Sequence, residues 1–496
     1  MSILVIHEQD NVAVVTSPVA KGEIVQHGHH AVVACEDIDR GHKMALRDIA
    51  AGENVVKYGF PIGRAIAAVP AGGWVHTHNL QTNLGEQLEY RYEPIEICPT
   101  GSSQCGRSFR GYRRSDGGVG IRNEVWIIPT VSCVNRTAQL LAKAGQDMAA
   151  AAETVDGVFE FTHPYGCSQL GDDHHTTRQI LLDLVNHPNA GSVLVIGLGC
   201  ENNTVPEFRD ALGEYDSDRV KFLVTQDVED ELAAGRALLH ELIAYAARFS
   251  RSDCPVAELA VGLKCGGSDG FSGITANPLV GSFSDLLVNC GGTTVLTEVP
   301  EMFGAETILM NRAKDELVFA KTVKLINDFK GYFQSYHQPV YENPSPGNKK
   351  GGISTLEDKS LGCTQKGGRS PVVDVLAYGE TVHTKGLNLL NGPGNDAVAC
   401  TALAAAGCQL VLFTTGRGTP LGTAVPTVKI ATNSELFQYK HHWMDFNAGQ
   451  LLEGKNMEEV TERFFDFILT VASGQATRAE QMGFREIAIF KNGVTL

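Results

Sequence analysis

From about residue 116 onward, short apolar segments alternate with amphipathic ones, and this alternation constrains the fold more than any other feature. Val125–Pro129, Ser192–Gly197 and Val220–Val224 have the length and composition of buried strands. The helical pattern is clearest in Glu231–Phe249, where apolar residues recur on one face. Strand–helix alternation predicts parallel sheets covered by helices. We therefore expect a second α/β domain at residues 116–251 and a C-terminal α/β domain at residues 252–496.

The first 92 residues follow a different pattern. Short strand-like segments, such as Asn11–Thr16, Ala31–Ala34 and Asn54–Lys57, are separated by turns that contain glycine. This pattern predicts a small, mostly β domain at residues 1–92. The polar segment that follows, residues 93–115, is rich in Pro, Gly, Ser and Arg and is expected to be a linker. The predicted fold class is thus multidomain α/β.

Charge and composition exclude several classes of partner. The 496 residues include 41 Lys and Arg against 57 Asp and Glu, which gives a formal net charge of −16. Such an acidic chain repels nucleic acid and anionic membrane surfaces. No apolar run approaches the roughly 20 residues of a membrane helix, and no signal peptide stands out, so we expect a cytoplasmic protein. The 12 cysteines are scattered without a CxxC pair, so no disulfide framework is expected.

Four strand-like segments end in turns that combine glycine and cysteine with polar residues. Parallel sheets bind ligands at the carboxyl ends of their strands, so these turns are expected to line one shared site. Cysteine is also a small apolar residue that is often simply buried, and that interpretation stays open for each one. The residues predicted from these turns to contact substrate are Cys167, Cys200, Cys265, Ser268, Asp269 and Cys363.

A histidine pair provides a candidate metal site. His76 and His78 lie two residues apart in a predicted strand and would face the same side, and His42 is a third candidate ligand. Neutral imidazole suits divalent iron, manganese or zinc. The alternative is that these are surface histidines on an edge strand.

Two arginines lie in glycine-rich segments. Arg122 follows Gly117-Gly-Val-Gly120, and Arg417 lies between two glycines. A guanidinium can bind a carboxylate through two parallel hydrogen bonds, so both are candidate substrate clamps. Neither a P-loop nor a dinucleotide-binding pattern with its helix is present, so nucleotide binding has little support.

Several longer motifs carry a family resemblance. They include Val75-His-Thr-His-Asn79, Tyr165-Gly-Cys-Ser-Gln169, Cys265-Gly-Gly-Ser-Asp-Gly270, Thr297-Glu-Val-Pro-Glu301 and Thr355-Leu-Glu-Asp-Lys359. With these motifs the whole sequence resembles the altronate/galactarate dehydratase family. The resemblance implies an N-terminal SAF domain of β-clip-like fold and a hydro-lyase of hexuronate catabolism. It also implies a requirement for Fe²⁺ or Mn²⁺, and it implies D-altronate as substrate rather than galactarate or a related sugar acid.

Dehydration of a sugar acid needs an anion clamp, a base for the weakly acidic α-proton, an acid for the leaving 3-hydroxyl, and a cation that stabilises the resulting dianion. The candidate acids and bases within the motifs are Glu298, Lys366, Lys264 and His163. Two alternatives remain open at this point. Cys167, Cys200, Cys265 and Cys363 could instead hold an iron–sulfur cluster, or the chain could bind a sugar acid without turning it over. The expected partner is a small sugar acid, and a homo-oligomer is left open.

Overall fold

A computed structural model describes residues 2–27, 30–85, 89–96 and 105–496 of the chain. The described residues of the N-terminal module form short antiparallel strands, in sheets ordered β1-β2-β5-β8, β3-β4 and β6-β7-β9. Its strands are β1 Ile3–Leu4, β2 Val12–Val15, β3 Ile24–His27, β4 His30–Val33, β5 Lys43–Ala45, β6 Asn54–Lys57, β7 Phe60–Ala65, β8 Trp74–Val75 and β9 Leu80–Gln81.

The tight turns of this module depend on glycine. Gly72 has φ +82°, and a Cβ built there would lie 1.9 Å from the carbonyl oxygen of Val33. Only a residue without a side chain fits both the positive φ and the close approach. The glycine-containing turns seen in the sequence therefore set how closely the strands of this module pack.

The middle part of the chain contains a four-stranded parallel sheet, ordered β13-β12-β14-β15, with helices on both faces. An antiparallel sheet ordered β11-β10-β16 lies beside it. The elements are β10 Ser108–Arg113, β11 Val119–Gly120, β12 Glu124–Pro129, α1 Asn135–Ala149, β13 Gly157–Glu160, α2 Gly171–Val185, β14 Ala190–Gly197, α3 Val205–Leu212, β15 Val220–Val224, α4 Glu231–Ala246 and β16 Arg251–Pro255.

The predicted linker at 93–115 is partly a strand. β10 lies inside it and pairs with β16, which is about 140 residues later, and both Phe109 and Tyr112 are buried. Local composition does not predict this strand, because its pairing partner is distant in sequence. Residues 97–104 of the linker lie outside the described residues. Cys105 forms a disulfide with Cys290, against the expectation from cysteine spacing.

The C-terminal part is a seven-stranded, fully parallel sheet in the order β19-β20-β18-β17-β21-β22-β23. Its strands are β17 Ala260–Cys265, β18 Thr293–Leu296, β19 Val372–Leu376, β20 Leu387–Leu390, β21 Leu410–Thr415, β22 Thr427–Ala431 and β23 Phe446–Asn447. Its helices are α5 Ala276–Asn289, α6 Glu306–Met310, α7 Glu316–Ser335, α8 Pro346–Lys350, α9 Leu356–Cys363, α10 Asp396–Ala405, α11 Ser434–Tyr439, α12 Met457–Ala472 and α13 Arg478–Gln481.

The strand order places a crevice at the centre of this sheet. The chain builds outward from β17 in one direction through β18 and β20, and in the other through β21 and β22. Such a reversal opens a crevice at the carboxyl ends of the strands, where parallel sheets bind ligands. The predicted fold class, a mostly β N-terminal part followed by α/β parts with parallel sheets, is confirmed. Among the described helices, none combines the length and the apolar composition that a membrane-spanning segment requires.

Candidate active site

A cluster of buried charged groups lies at the carboxyl ends of β17 and β18. Lys264 is the penultimate residue of β17. It makes an ion pair with Glu298, just after β18, and another, at 2.9 Å, with Asp396 at the start of α10. The Nζ atom of Lys366 lies 3.2 Å from the second oxygen of Glu298. The side chains of Lys264, Glu298 and Lys366 are essentially inaccessible to solvent. Charges buried to this degree are tolerated only when they are paired.

Glu298 adopts an unusual backbone conformation. Its φ is 70° and ψ 58°, in the left-handed region that non-glycine residues rarely adopt. This conformation directs the carboxylate back toward β17, where it accepts a 2.9 Å hydrogen bond from the backbone N–H of Cys265. The geometry of the cluster therefore depends on a strained turn that the surrounding ion pairs hold in place.

Two thiols and a carboxylate meet beside this cluster. The Sγ atoms of Cys265 and Cys363 are 3.4 Å apart, and each lies 3.1 Å from the same carboxylate oxygen of Glu301. Lys366 donates to Cys265 Sγ at 2.8 Å, and Lys359 donates to the other oxygen of Glu301 at 2.6 Å. Three lysines, three carboxylates and two thiols thus form one continuous polar network.

Electrostatics keeps the lysines and Glu301 of this network charged. Burial opposes the charge of Lys264, but Glu298, Asp396 and Glu301 outweigh it and hold the pKa of Lys264 well above its ordinary value. The pKa values of Lys359 and Lys366 are raised for the same kind of reason. Burial would raise the pKa of Glu301, yet the three lysines hold it well below its usual range.

The thiol of Cys363 behaves differently. Its hydrogen bond with Cys265, its burial and the negative charge of Glu301 together raise its pKa well above that of a free thiol. Without a bound cation, Cys363 keeps its proton. A cation that binds here would displace that proton, as metal binding to thiols generally does.

An open cavity of about 660 Å³ lies above the cluster. Such a volume accommodates a molecule the size of a six-carbon sugar acid. Glu301, Lys359 and Asp396 are its ionisable lining residues, whereas Glu298 and Lys366 lie beneath its floor. The other lining groups are mostly amides, hydroxyls and glycines, from Gly266, Gly267, Asn343, Ser345, Asn348, Gly394, Asn395 and Thr419.

The residues present fit a divalent cation. Among the described residues, Cys265, Glu301 and Cys363 are the set of three or more metal-ligating side chains whose donor atoms all lie within 4.8 Å of one another. The three lysines and three carboxylates of the network balance in charge, so two deprotonated thiols would balance one divalent ion. Sulfur donors favour ferrous iron or zinc over harder ions. The ion would lie at the floor of the cavity, since Glu301 lines it.

The N-terminal module holds one wall of this site in place. Lys43 and Lys57 both contact Asp358 on α9, at 2.8 and 3.0 Å, and all three side chains are buried. The next residue along α9 is Lys359, and the helix ends at Cys363. Burial alone would raise the pKa of Asp358, but the two lysines hold it well below its usual range. The position of α9 therefore depends on charges that belong to another part of the chain.

The structure brings several of the predicted site residues together and adds others. Lys264, Cys265, Glu298, Cys363 and Lys366 all belong to the cluster.

Ser268 and Asp269 follow Cys265 on the loop after β17 and are buried nearby. Ser268 accepts a hydrogen bond at its carbonyl from Asn348, which lines the cavity, and Asp269 accepts from Thr432 and Ser272. They shape the loop rather than line the cavity.

The predicted histidine metal site does not fit this geometry. His76 Nε2 donates to the carbonyl of Lys349 at 2.9 Å, and His42 Nε2 donates to the carbonyl of Lys350 at 3.3 Å. The indole of Trp74 donates to His42 Nδ1, and His78 is exposed and packs on the same indole.

Burial, with the nearby Lys43 charge, lowers the pKa of His76 to about 4, so the ring is neutral. Together with His42, it anchors the loop that carries Asn343, Ser345 and Asn348 to the cavity.

Arg122 and His163 also have other roles. Every guanidinium nitrogen of Arg122 donates to a protein acceptor, including both oxygens of Glu480 at 2.7 and 3.0 Å, so it does not clamp a substrate here. His163 is buried, and its Nε2 donates to the carbonyl of Pro129 at 2.8 Å. Arg122 links the segment before β12 to the C-terminal part of the chain, and His163 links the loop after β13 to the end of β12. Both residues satisfy their buried polar atoms with protein partners.

Cys167 and Cys200 do not join Cys265 and Cys363. Both are exposed and lie on loops of the four-stranded sheet, whereas Cys265 and Cys363 are buried at the seven-stranded sheet. The expectation of one shared four-cysteine site fails because the similar turns belong to two different sheets.

Arg417 remains a candidate clamp. It is exposed, its backbone N–H donates to the carbonyl of the cavity-lining Gly267, and its side chain lies beside Gly347. Arg417 therefore lies next to the residues that line the rim of the cavity, and it stays a candidate for binding a substrate carboxylate.

Sequence reasoning missed Glu301, Lys359 and Asp396 as cavity residues. Glu301 and Lys359 are the last residues of the motifs Thr297–Glu301 and Thr355–Lys359, whereas Asp396 follows the glycine-containing segment Gly392-Pro-Gly-Asn395. These residues could have been found by taking every ionisable residue in the glycine- or cysteine-containing loops as a candidate. Which of them face a cavity depends on the fold.

Profiles of known families match the chain in three consecutive ranges. The altronate/galactarate dehydratase SAF domain matches residues 1–83, and the second domain of D-galactarate dehydratase/altronate hydrolase matches residues 111–247. The C-terminal domain of D-galactarate/altronate dehydratase matches residues 256–495.

Full-length relatives agree with these profiles. The chain is 56% identical over 496 residues to the altronate dehydratases of Escherichia coli (strain K12) and of Bacillus subtilis (strain 168), covering 100% of each chain. It is 35% identical over 516 residues to the galactarate dehydratase (L-threo-forming) of Escherichia coli (strain K12), covering 98% of this chain and 96% of that one.

Proposed function

The chain belongs to the altronate/galactarate dehydratase family, and on that premise we propose that it dehydrates D-altronate to 2-dehydro-3-deoxy-D-gluconate. The higher identity to altronate dehydratases than to a galactarate dehydratase supports altronate as the substrate. The observation that carries the proposal is the lysine–carboxylate–thiol network under an open cavity.

This network suits the difficult step of the reaction. Removal of the α-proton from a carboxylate generates a dianion, and the ammonium groups of Lys264, Lys359 and Lys366 supply fixed positive charge near the floor of the cavity. Positive charge that is already in position stabilises such a transition state without reorganisation. Arg417 at the rim would hold the substrate carboxylate or a distal hydroxyl.

Two cavity-lining groups are suited to proton transfer. Asp396 is partly exposed, lies at the cavity and is paired with Lys264 at 2.9 Å, so we assign it the α-proton. Lys359 is the ammonium that lines the cavity, and we assign it proton donation to the departing 3-hydroxyl. Glu298, Lys264 and Lys366, beneath the floor, act as positioning residues.

We propose ferrous iron as the cation held by Cys265, Glu301 and Cys363, because two sulfur donors disfavour Mn²⁺. When bound, such an ion acts as a Lewis acid toward substrate oxygen atoms. The Glu301→Gln variant is expected to lose bound iron measured by elemental analysis. The Glu435→Gln variant, which changes an exposed carboxylate paired with Arg40, keeps it.

The function is tested by incubating the purified protein with D-altronate, galactarate and other hexonates, with ferrous iron present, and measuring the 2-keto-3-deoxy acid formed. D-altronate is expected to give the highest kcat/KM. Formation of product from galactarate alone would show that the chain is a galactarate dehydratase rather than an altronate dehydratase. Binding of D-altronate without product from any sugar acid would remove the hydro-lyase assignment.

A further inference from the structure

Three exposed cysteines lie together at the other parallel sheet. Cys133 follows β12, Cys167 follows β13 and Cys200 follows β14. These strands are neighbours in the order β13-β12-β14, and all three run parallel. Their carboxyl ends therefore lie side by side, and each carries one thiol to the same edge of the sheet.

Hydrogen bonds tie the three loops to one another. The N–H of Ser132 donates to the carbonyl of Tyr165 at 2.9 Å, which links the Cys133 loop to the Cys167 loop. The N–H of Asn203 donates to the carbonyl of Gly166 at 3.0 Å, which links the Cys200 loop to the Cys167 loop.

Close backbone packing reinforces these links. A Cβ built on Gly166 would lie 1.9 Å from the carbonyl oxygen of Thr130. The residue after Cys167, Ser168, has φ 60°, and its N–H donates to the side chain of Asn202 at 2.8 Å. The backbone that presents the cysteines is thus closely constrained, as preorganised ligand sites require.

One side-chain amide donates to a thiol of this set, and a second amide lies close in sequence to another. Gln226 Nε2 donates to Cys200 Sγ at 3.6 Å. Gln169, two residues after Cys167, is 4% exposed, and its Nε2 has no hydrogen-bond partner among the described residues. A buried donor without an acceptor is costly and needs an explanation. Sulfur atoms of a bound group would accept from such amides, and hydrogen bonds of this kind are typical around metal-bound sulfur.

The three thiols are not arranged as the ligands of a single metal ion. Within the described part of the chain, the Sγ atoms of Cys133, Cys167 and Cys200 do not all lie within 4.8 Å of one another, in contrast to the donors at Cys265, Glu301 and Cys363. Ligands of one ion must converge on a single point. Cysteines that bind an iron–sulfur cluster are held further apart, because each one binds a different iron.

We infer that Cys133, Cys167 and Cys200 hold a [4Fe–4S] cluster, with the fourth iron lacking a cysteine ligand and facing solvent. Two ferrous ions, two ferric ions and four sulfides make the dicationic core without net electron transfer. Three sulfur–iron bonds form as the three thiols release their protons to solvent. This site is separate from the buried Cys265–Glu301–Cys363 set, and it contributes no residue to the cavity described above.

The test is anaerobic reconstitution of the full chain with sulfide and equal amounts of ferrous and ferric iron, followed by removal of unbound ions. Iron and acid-labile sulfide are then measured, together with visible absorption and electron paramagnetic resonance after reduction. We expect about four sulfides per chain in the wild-type protein. The Cys35→Ser variant, which changes an exposed cysteine of the N-terminal module, is the matched control and keeps this sulfide.

The triple variant Cys133→Ser, Cys167→Ser and Cys200→Ser is expected to fall to background sulfide, while Cys265→Ser with Cys363→Ser keeps it. The three single variants are each checked for a wild-type unfolding curve and are expected to lower the sulfide content. They keep the test decisive if the triple variant does not fold. Retention of sulfide in the triple variant, its loss in the Cys265/Cys363 variant, or iron without sulfide in the wild-type protein would overturn the inference.

Discussion

The two parallel sheets of this chain present cysteine-containing loops in the same architectural position, yet the two edges are built for different chemistry. At the seven-stranded sheet the edge is covered by α9 and the N-terminal module, and its thiols lie among paired lysines and carboxylates. At the four-stranded sheet the thiols of Cys133, Cys167 and Cys200 are exposed. Burial therefore distinguishes two loop sets that look alike in sequence.

Access of water to the strand ends determines which side chains each sheet can carry there. Where water is excluded, an unpaired charge is too costly, so each lysine of the buried edge has a carboxylate partner. Where water remains, thiols need no charged partner and are available to ligands from solvent. Substitutions at the buried edge, the strand ends of the seven-stranded sheet around Lys264 and Glu298, test whether it depends on this charge pairing and on its contact with the N-terminal module.

The largest effect is expected at the buried edge from Asp396→Asn. Removal of the proposed base should lower kcat for D-altronate by about 10²–10⁴-fold, the usual contribution of general base catalysis, with a small change in KM. Steady-state kinetics with the iron-loaded protein measures both constants. Asp374→Asn, which changes a surface ion pair with Lys321, is the control. A kcat within threefold of wild type would exclude Asp396 as the base.

Asp358→Asn tests whether the N-terminal module supports the buried edge. The variant leaves Lys43 and Lys57 buried without their carboxylate, and loss of one partner of a buried pair typically costs about 3–5 kcal/mol of unfolding free energy. Urea unfolding monitored by circular dichroism measures the change. Asp374→Asn is expected to cost less than about 1 kcal/mol, because its ion pair is exposed. Equal costs for the two variants would contradict the role assigned to Asp358.

Arg417→Ala tests whether a side chain at the rim of the cavity contributes to substrate binding rather than to the chemical step. Loss of an exposed carboxylate clamp should raise KM about tenfold, with kcat reduced less, because the contact is made in both the bound substrate and the transition state. Arg417→Lys should recover part of the affinity, since it keeps the charge without the paired donors. An unchanged KM in the alanine variant would place the clamp elsewhere.

The smallest effect is expected from His76, on the pH dependence of the free energy of unfolding. Its folded pKa is lowered to about 4, so between pH 6.5 and 4 the unfolded chain binds a proton at this position that the folded chain does not. Stability from this group is therefore lost as the pH falls through that window. His76→Gln should make the decline shallower by about 1–2 kcal/mol, measured as urea midpoints from pH 6.5 to 4.5. An unchanged slope would show that folding does not lower the pKa of His76.

The sequence supported the fold more securely than the site. The predicted segments Val125–Pro129 and Ser192–Gly197 lie in fully buried strands, because a parallel strand covered on both faces needs nearly continuous apolar residues. β10 was missed, since its pairing with β16 spans about 140 residues. The histidine metal site was predicted from i, i+2 spacing alone, which could not show that backbone carbonyls of another part of the chain accept from His42 and His76.

The family, the α/β class and the inclusion of Lys264, Glu298 and Lys366 among the candidate groups all follow from the sequence, because long motifs and apolar segments are local properties of the chain. Which loops face each other is visible in the folded chain alone. There Cys363 contacts Cys265 across about 100 residues, Glu301 and Lys359 line the cavity, and Cys167 and Cys200 lie on another sheet. These positions follow from strand order and burial, which depend on contacts between residues that are distant in sequence.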